Sequence, residues 1–292
     1  MDIDKLNRIK DNLFSHSIAA IDDYNNFDWH KNKINEIDTD KVNSSQAIVI
    51  DVFGLLKLSP YKDFLINSIF NKNGIDWNIV FEYTDKTLLN EPKPTQIDIM
   101  ISNNENVLLL ESKFMEYNSG SCSQPKKQCN GNYEEQINPE NNLQSKCSLT
   151  AKGIKYWDYI SEIYKFNKNE IYCPCPFKSY QYQFMRNLCF GKSLSEKHKI
   201  NVENYFIYYE SEICPIFNKI VKYNYLEKLT KDLIDKNLLK SLSYNRLINT
   251  SKNLLQNKDK NEYNKWVELE KWLESKIITI KNKQDKNNRH FV

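Results

Sequence analysis

Twelve residues separate Asp98 from a Glu-x-Lys triplet, Glu111-Ser112-Lys113. Two carboxylates and a lysine could hold a hard divalent cation and stabilise charge on a phosphate under attack by water. The triplet alone is not specific, because Glu91-Pro92-Lys93 and Glu274-Ser275-Lys276 repeat it. Context separates the three. Glu91 adjoins a proline in a loop, and Glu274 falls in a helical pattern, where residues two apart face different ways. Only Glu111 and Lys113 lie in a strand-like run, where residues i and i+2 share a face. Lys276 is therefore expected to be a dispensable internal control for Lys113.

Hairpin arithmetic brings Asp98 to the same place. Gln96-Ile97-Asp98-Ile99-Met100-Ile101 and Val107-Leu108-Leu109-Leu110-Glu111-Ser112-Lys113-Phe114 flank a polar turn, Asn103 to Asn106. A turn centred on Asn104 and Glu105 makes the numbers of partner residues sum to 209, which sets Asp98 opposite Glu111 on one face. Two carboxylates so close in a buried sheet repel each other unless a cation lies between them. Magnesium suits that position, with manganese as a substitute, and Lys113 would orient water or stabilise the phosphate. Glu82, on the neighbouring run Trp77 to Tyr83, offers either a third carboxylate or a solvent-facing side chain.

The elements that must position these residues follow from periodicity. Leu6, Ile9, Leu13, Phe14 and Ile18 have helical spacing. Ser44 and Ser45 offer an N-cap for a helix through Ala47, Ile50, Phe53 and Leu56, and Ser59-Pro60 opens another. The run Val107 to Leu110 is apolar at both parities, as in a strand covered on both faces. After a polar stretch a helix is expected near Tyr180, then a buried strand at Tyr205 to Tyr209. From Tyr225 onward the pattern reads as helical. The order is helices, three strands, insertion, helix, strand, helices, an α/β core with a helical C-terminal extension.

With 292 residues, 40% of them hydrophobic and 27% charged, the chain can build a substantial core. A net charge of +3 does not by itself indicate nucleic acid. The charged amino terminus lacks an apolar leader, and no apolar run is long enough to span a bilayer, so a cytoplasmic protein is expected. Four scattered histidines disfavour a histidine-rich metal site. Seven cysteines in a reducing compartment are not a disulfide framework. Cys122, Cys129, Cys147, Cys173 and Cys175 supply thiolates enough for structural zinc, but their spacing lacks paired C-x-x-C knuckles, so zinc is the weaker reading. Cys189 and Cys214 read as buried thiols. Lys126, Lys127, Lys146 and Lys152 make either a basic arm for phosphates or a solvated loop.

Thr95-Gln96-Ile97-Asp98-Ile99-Met100-Ile101 followed by Leu109-Leu110-Glu111-Ser112-Lys113-Phe114 resembles the PD-(D/E)XK, restriction-endonuclease-like nuclease superfamily. A bacterial branch of it also resembles the chain at Asn43-Ser44-Ser45-Gln46-Ala47 and at Tyr182-Gln183-Phe184-Met185-Arg186. The likeness is carried by short motifs over about residues 43 to 250, and Ile97 stands where the family name has proline. It implies a central mixed β-sheet flanked by helices and a magnesium-dependent endodeoxyribonuclease acting on double-stranded DNA. A Type II-like restriction or related defence enzyme is the first expectation. A repair or mobile-element nuclease, or a non-cleaving DNA-binding module, is the alternative. The resemblance also implies a glutamine near the site on the helix after the third strand, which is Gln183; a solvated helix residue is the competing reading. A homodimer and a cognate DNA methyltransferase encoded nearby are the partners that such an enzyme implies. The expected division is an N-terminal helical segment at 1–42, a nuclease core at 43–222 with an insertion at about 115–179, and a helical extension at 223–292. The Ser44-Ser45-Gln46 element either caps a helix only or approaches the cleft, and the cap is the expectation.

Overall fold

The computed structural model describes residues 2–122, 147, 149–166, 172, 175–178 and 181–289. Helix α1 spans Ile3–Asp11 and is followed by a 3-10 turn at Ser15–Ala20. Helix α2 (Ser45–Leu58) begins where the Ser44 hydroxyl accepts the Ala47 amide at 3.3 Å, which gives one of the free N–H groups of the first turn a partner. Helix α3 (Lys62–Phe70) stops at Asn71, whose left-handed φ of 52° ends it. Strands β1 (Asn78–Thr84), β2 (Gln96–Ser102) and β3 (Asn106–Lys113) come next. They precede helices α4 (Tyr156–Ile163) and α5 (Tyr182–His198) and strand β4 (Asn201–Tyr208). Helices α6 (Pro215–Tyr223) and α7 (Tyr225–Thr230), strand β5 (Leu239–Ser243) and helices α8 (Tyr244–Leu255) and α9 (Lys260–Arg289) complete the chain.

The five strands form one mixed sheet in the order β1-β2-β3-β4-β5. Strands β1, β2 and β3 are antiparallel neighbours, while β4 and β5 run parallel to β3. Helix α5 therefore serves as the crossover between β3 and β4, as a parallel pair requires. Both faces of the sheet are covered. One face packs Ile99, Ile101, Leu108 and Leu110 against α2, α3, α8 and α9. The other packs Val107, Leu109 and Phe206 against α4 and α5. This is why Val107 to Leu110 are apolar at both parities.

Strand β5 corrects the expectation that only helices follow Tyr225. Its sequence, Leu239-Lys240-Ser241-Leu242-Ser243, has two apolar residues three apart, so it shows no alternation. Pairing with β4 through Asn204–Leu239 to Tyr208–Ser243 makes it a strand. Tertiary context outweighs local propensity here. Residues 126, 127, 129, 146, 173 and 180, on which several sequence expectations fall, lie outside the described residues. No helix among the described residues is long and apolar enough to cross a membrane.

Candidate metal and nuclease site

The hairpin has the expected register. Ile99 pairs with Leu110, Met100 with Leu109, Ile101 with Leu108 and Ser102 with Val107, each pair summing to 209. Continued one step, it sets Asp98 beside Glu111. The Asp98 carboxylate accepts the Ser112 amide at 2.7 Å, so the aspartate is tied directly to the Glu-x-Lys strand. Lys113 Nζ donates to Glu111 Oε1 in a buried ion pair. Burial and the neighbouring charge of Glu111 push Asp98 well above the ordinary carboxylate range, with Lys113 opposing. Burial works against charge on Lys113, but Glu111, Glu116 and Asp98 together raise its pKa.

Glu82 is drawn into the cluster by a break in β1. It has φ of 53°, in the left-handed region, and it is missing from the ladder between Phe81–Ile99 and Tyr83–Ile97. The break reverses the alternation of side chains. Phe81 packs on the core of α2 and α3, whereas Tyr83, two residues on, packs on the core of α4 and α5. A glutamate in this conformation is strained by order 1–3 kcal/mol, and such strain persists only where the surroundings impose it. Here the surroundings are Gln46 and His30. Gln46 Nε2 donates to Glu82 Oε1 at 2.7 Å, and His30 Nε2 lies 3.2 Å from Glu82 Oε2.

Ligand atoms of His30, Glu82 and Asp98 all lie within 4.8 Å of one another, the one such group among the described residues. Burial opposes charge on His30, but the hydrogen bond to Glu82 and the charges of Glu82, Asp98 and Glu111 push it up to about 9. Glu111 stands at the side of this group, with one oxygen on Lys113 and the other accepting from Asn187 Nδ2 at 2.7 Å. The Asn187 carbonyl oxygen is buried and has no hydrogen-bond partner.

Two residues of the site, His30 and Asn187, were not singled out in the sequence. His30 looked like one of four scattered histidines. Asn187 is on α5, one helical turn after Gln183, so helical spacing from Gln183 was the signal that pointed to it. Gln183 itself is half-buried at the start of α5. Its amide donates to Ser119 O at 3.2 Å, and its side chain lies against Gly120, where an added Cβ would come within 3.3 Å. It is Asn187, not Gln183, that hydrogen-bonds a predicted ligand. Gln46 does more than follow a cap. Its Oε1 accepts from the His30 amide at 2.9 Å and from Thr39 Oγ1 at 2.6 Å, and its Nε2 also reaches Asp28 O at 3.0 Å. All four hydrogen-bonding positions of this amide are used, which fixes His30 and Glu82 together.

The duplicate triplets have other roles. Glu91 is buried; it accepts from the Thr95 amide and hydroxyl at 2.6 and 2.7 Å, from Tyr156, and from Arg186 at 2.9 Å. It thereby anchors the loop before β2 to α4 and α5. Glu274 is exposed and Lys276 is buried on α9, so they do face different ways. Lys276 pairs with the buried Asp51 of α2 at 2.8 Å, which gives it a structural role of its own away from the carboxylate cluster.

A cavity of about 780 Å³ reaches the cluster at His30 and is lined also by Ser44, Ser45, Gln96 and Glu116 and by three exposed lysines, Lys31, Lys41 and Lys93. Cys122, Cys147 and Cys175 line a separate small pocket, but among the described residues their sulfurs do not gather as His30, Glu82 and Asp98 do. Cys189 and Cys214 are buried, as expected.

Residues 4–276 match the family described as Restriction Endonuclease associating with ARP. The chain belongs to this family. The restriction endonuclease family accounts for the mixed sheet flanked by helices and makes the chain a nuclease relative. Neither a curated protein nor a solved structure matches it.

Proposed function

We propose that the chain is a metal-dependent endodeoxyribonuclease that hydrolyses phosphodiester bonds of double-stranded DNA, in the manner of a Type II-like restriction or related defence enzyme. One observation carries the reading. Two buried carboxylates and an imidazole from three separate segments converge within 4.8 Å, beside a buried Glu-x-Lys pair. Left without a cation, the carboxyl groups of Glu82, Asp98 and Glu111 crowd a space from which water is largely excluded, with Lys113 and His30 left to offset them, an arrangement costly to fold. The donor set fits a divalent ion: Glu82 and Asp98 would hold it, Glu111 would complete its shell, and His30 supplies a nitrogen. When bound, such an ion offsets the carboxylates, polarises the scissile phosphate and acidifies a coordinated water.

The remaining tasks belong to the chain. Lys31, Lys41 and Lys93 would contact backbone phosphates along the open cavity and set the duplex in register. Lys113, buried beside Glu111, carries its charge to the reacting phosphate and stabilises the negative charge that grows there in the transition state. Asn187 holds Glu111 from the other side and keeps its carboxylate from following Lys113. A homodimer, and a methyltransferase encoded alongside, would suit a restriction role.

Unmethylated phage DNA incubated with the purified protein should be cut in magnesium or manganese and left intact in excess EDTA. Calcium should permit binding with little cutting, because it tolerates looser geometry and acidifies water less. Cutting undiminished in EDTA would overturn the metal mechanism, and intact DNA with every ion would overturn the nuclease reading.

A further inference from the structure

His30 gives the site a ligand that its carboxylates do not foretell. It comes from the segment ahead of α2, and its imidazole is the one nitrogen donor in the group of Glu82 and Asp98. Its backbone is held at both ends: its amide donates to Gln46 Oε1 at 2.9 Å, and its carbonyl accepts from the Asp38 amide at 3.2 Å. Gln46 is also bonded to Glu82, so one amide sets the distance between the histidine and the carboxylate. The ring is half-buried at the edge of the cavity, and Nε2 is the nitrogen turned toward Glu82. Two roles remain for such a ring, an ion-pair partner of Glu82 or a metal ligand. A plain ion pair needs neither the Gln46 clamp nor the strained Glu82 backbone, since a lysine reaching from solvent would neutralise Glu82 as well.

We infer that His30 Nε2 is a direct ligand and that this mixed nitrogen–oxygen site selects manganese over magnesium. The inference rests on the metal-dependent reading above and specifies its ion. Magnesium is hard, prefers an all-oxygen shell and sheds water reluctantly. Imidazole binds first-row transition ions more strongly than it binds magnesium, and manganese also accepts the carboxylates that complete this site. The nitrogen is the donor that most separates the two ions, so most of the preference depends on His30.

Two measurements test this without reliance on turnover. Pulsed electron paramagnetic resonance of the manganese-loaded protein should show coupling to one imidazole nitrogen, absent in His30→Ala. Calorimetric titration of the full chain should give manganese tighter than magnesium by about tenfold or more, and His30→Ala should close most of that gap by weakening manganese alone. Manganese bound without nitrogen coupling, or equal affinities in the wild type, would overturn the inference while DNA cleavage in magnesium kept the nuclease reading. Nitrogen coupling in a protein that cuts DNA with no ion would do the reverse. A protein that binds neither ion would remove both.

Discussion

At the scale of single residues, charge and strain divide the site into groups that act on substrate and groups that hold others. On the proposed mechanism Lys113→Ala deletes a charge needed most as the phosphate gains negative charge, so the rate should suffer more than affinity. Cleavage should fall by a factor of about 100 or more while DNA binding stays within a fewfold, by single-turnover kinetics and a binding titration. Cleavage at the wild-type rate would remove Lys113 from the mechanism. Glu82→Gly separates function from stability. Glycine accepts φ of 53° without cost, and the change removes one of the crowded carboxylates, though it forfeits the bond from Gln46. Unfolding free energy should change by no more than about 1 kcal/mol in denaturant titrations, while metal binding is lost. Loss of several kcal/mol would show that Glu82 is a structural residue first.

Elements set what the sequence made legible. The β2–β3 hairpin could be read because its information is local: a polar turn fixes the register, and strand parity fixes the face. That put Asp98, Glu111 and Lys113 in one place and left Glu82 as one of two alternatives. His30 could not be read in this way, because it comes to Asp98 only through the packing of a polar N-terminal segment on α2. Asn187 depends on how closely α5 approaches the sheet. Gly191, one turn further along the helix, makes that approach close: a Cβ there would stand 3.0 Å from the Asn204 side chain and 3.3 Å from Leu109. Lys276 lies away from the chemistry, as its helix implies, but the sequence does not show what it holds in the fold. Its ammonium is 3% exposed and meets Asp51, which is fully buried and also accepts from Trp272 Nε1 at 3.0 Å and from the Phe14 amide at 2.6 Å. Lys276→Ala leaves that carboxylate with a buried, unbalanced charge, so it should cost about 3–5 kcal/mol of stability. Thermal or denaturant unfolding measures this, and exposed Lys271 on the same helix is the better neutral control for Lys113. Wild-type stability in Lys276→Ala would mean that Trp272 and Phe14 suffice for Asp51.

For the whole molecule, the proposed metal would be linked to the fold. An ion that binds the folded site and not the open chain stabilises by mass action, by about 2.7 kcal/mol at a concentration 100 times its dissociation constant. In a chain of this size each kcal/mol moves the melting temperature by about 2–4 °C. Saturating manganese should therefore raise the Tm by about 5 °C or more, EDTA should reverse the gain, and Asp98→Asn should show no such shift. An ion-dependent rise that survives Asp98→Asn would place the binding elsewhere.

The break at Glu82 has one more consequence, which concerns company rather than chemistry. Strand β1 is an outer strand, with β2 on one side and, among the described residues, no strand on the other. A straight outer strand of seven residues offers its free amides and carbonyls to any passing chain and invites edge-to-edge aggregation. The left-handed turn at Glu82 interrupts that template midway and places a charge in it. The residue proposed to serve the ion would thus also keep the sheet from growing. Glu82→Val, which favours a straight strand, should lower solubility as well as metal affinity, whereas Glu82→Gly should lower metal affinity alone; light scattering during concentration of the two variants distinguishes them. Equal solubility would confine Glu82 to the metal.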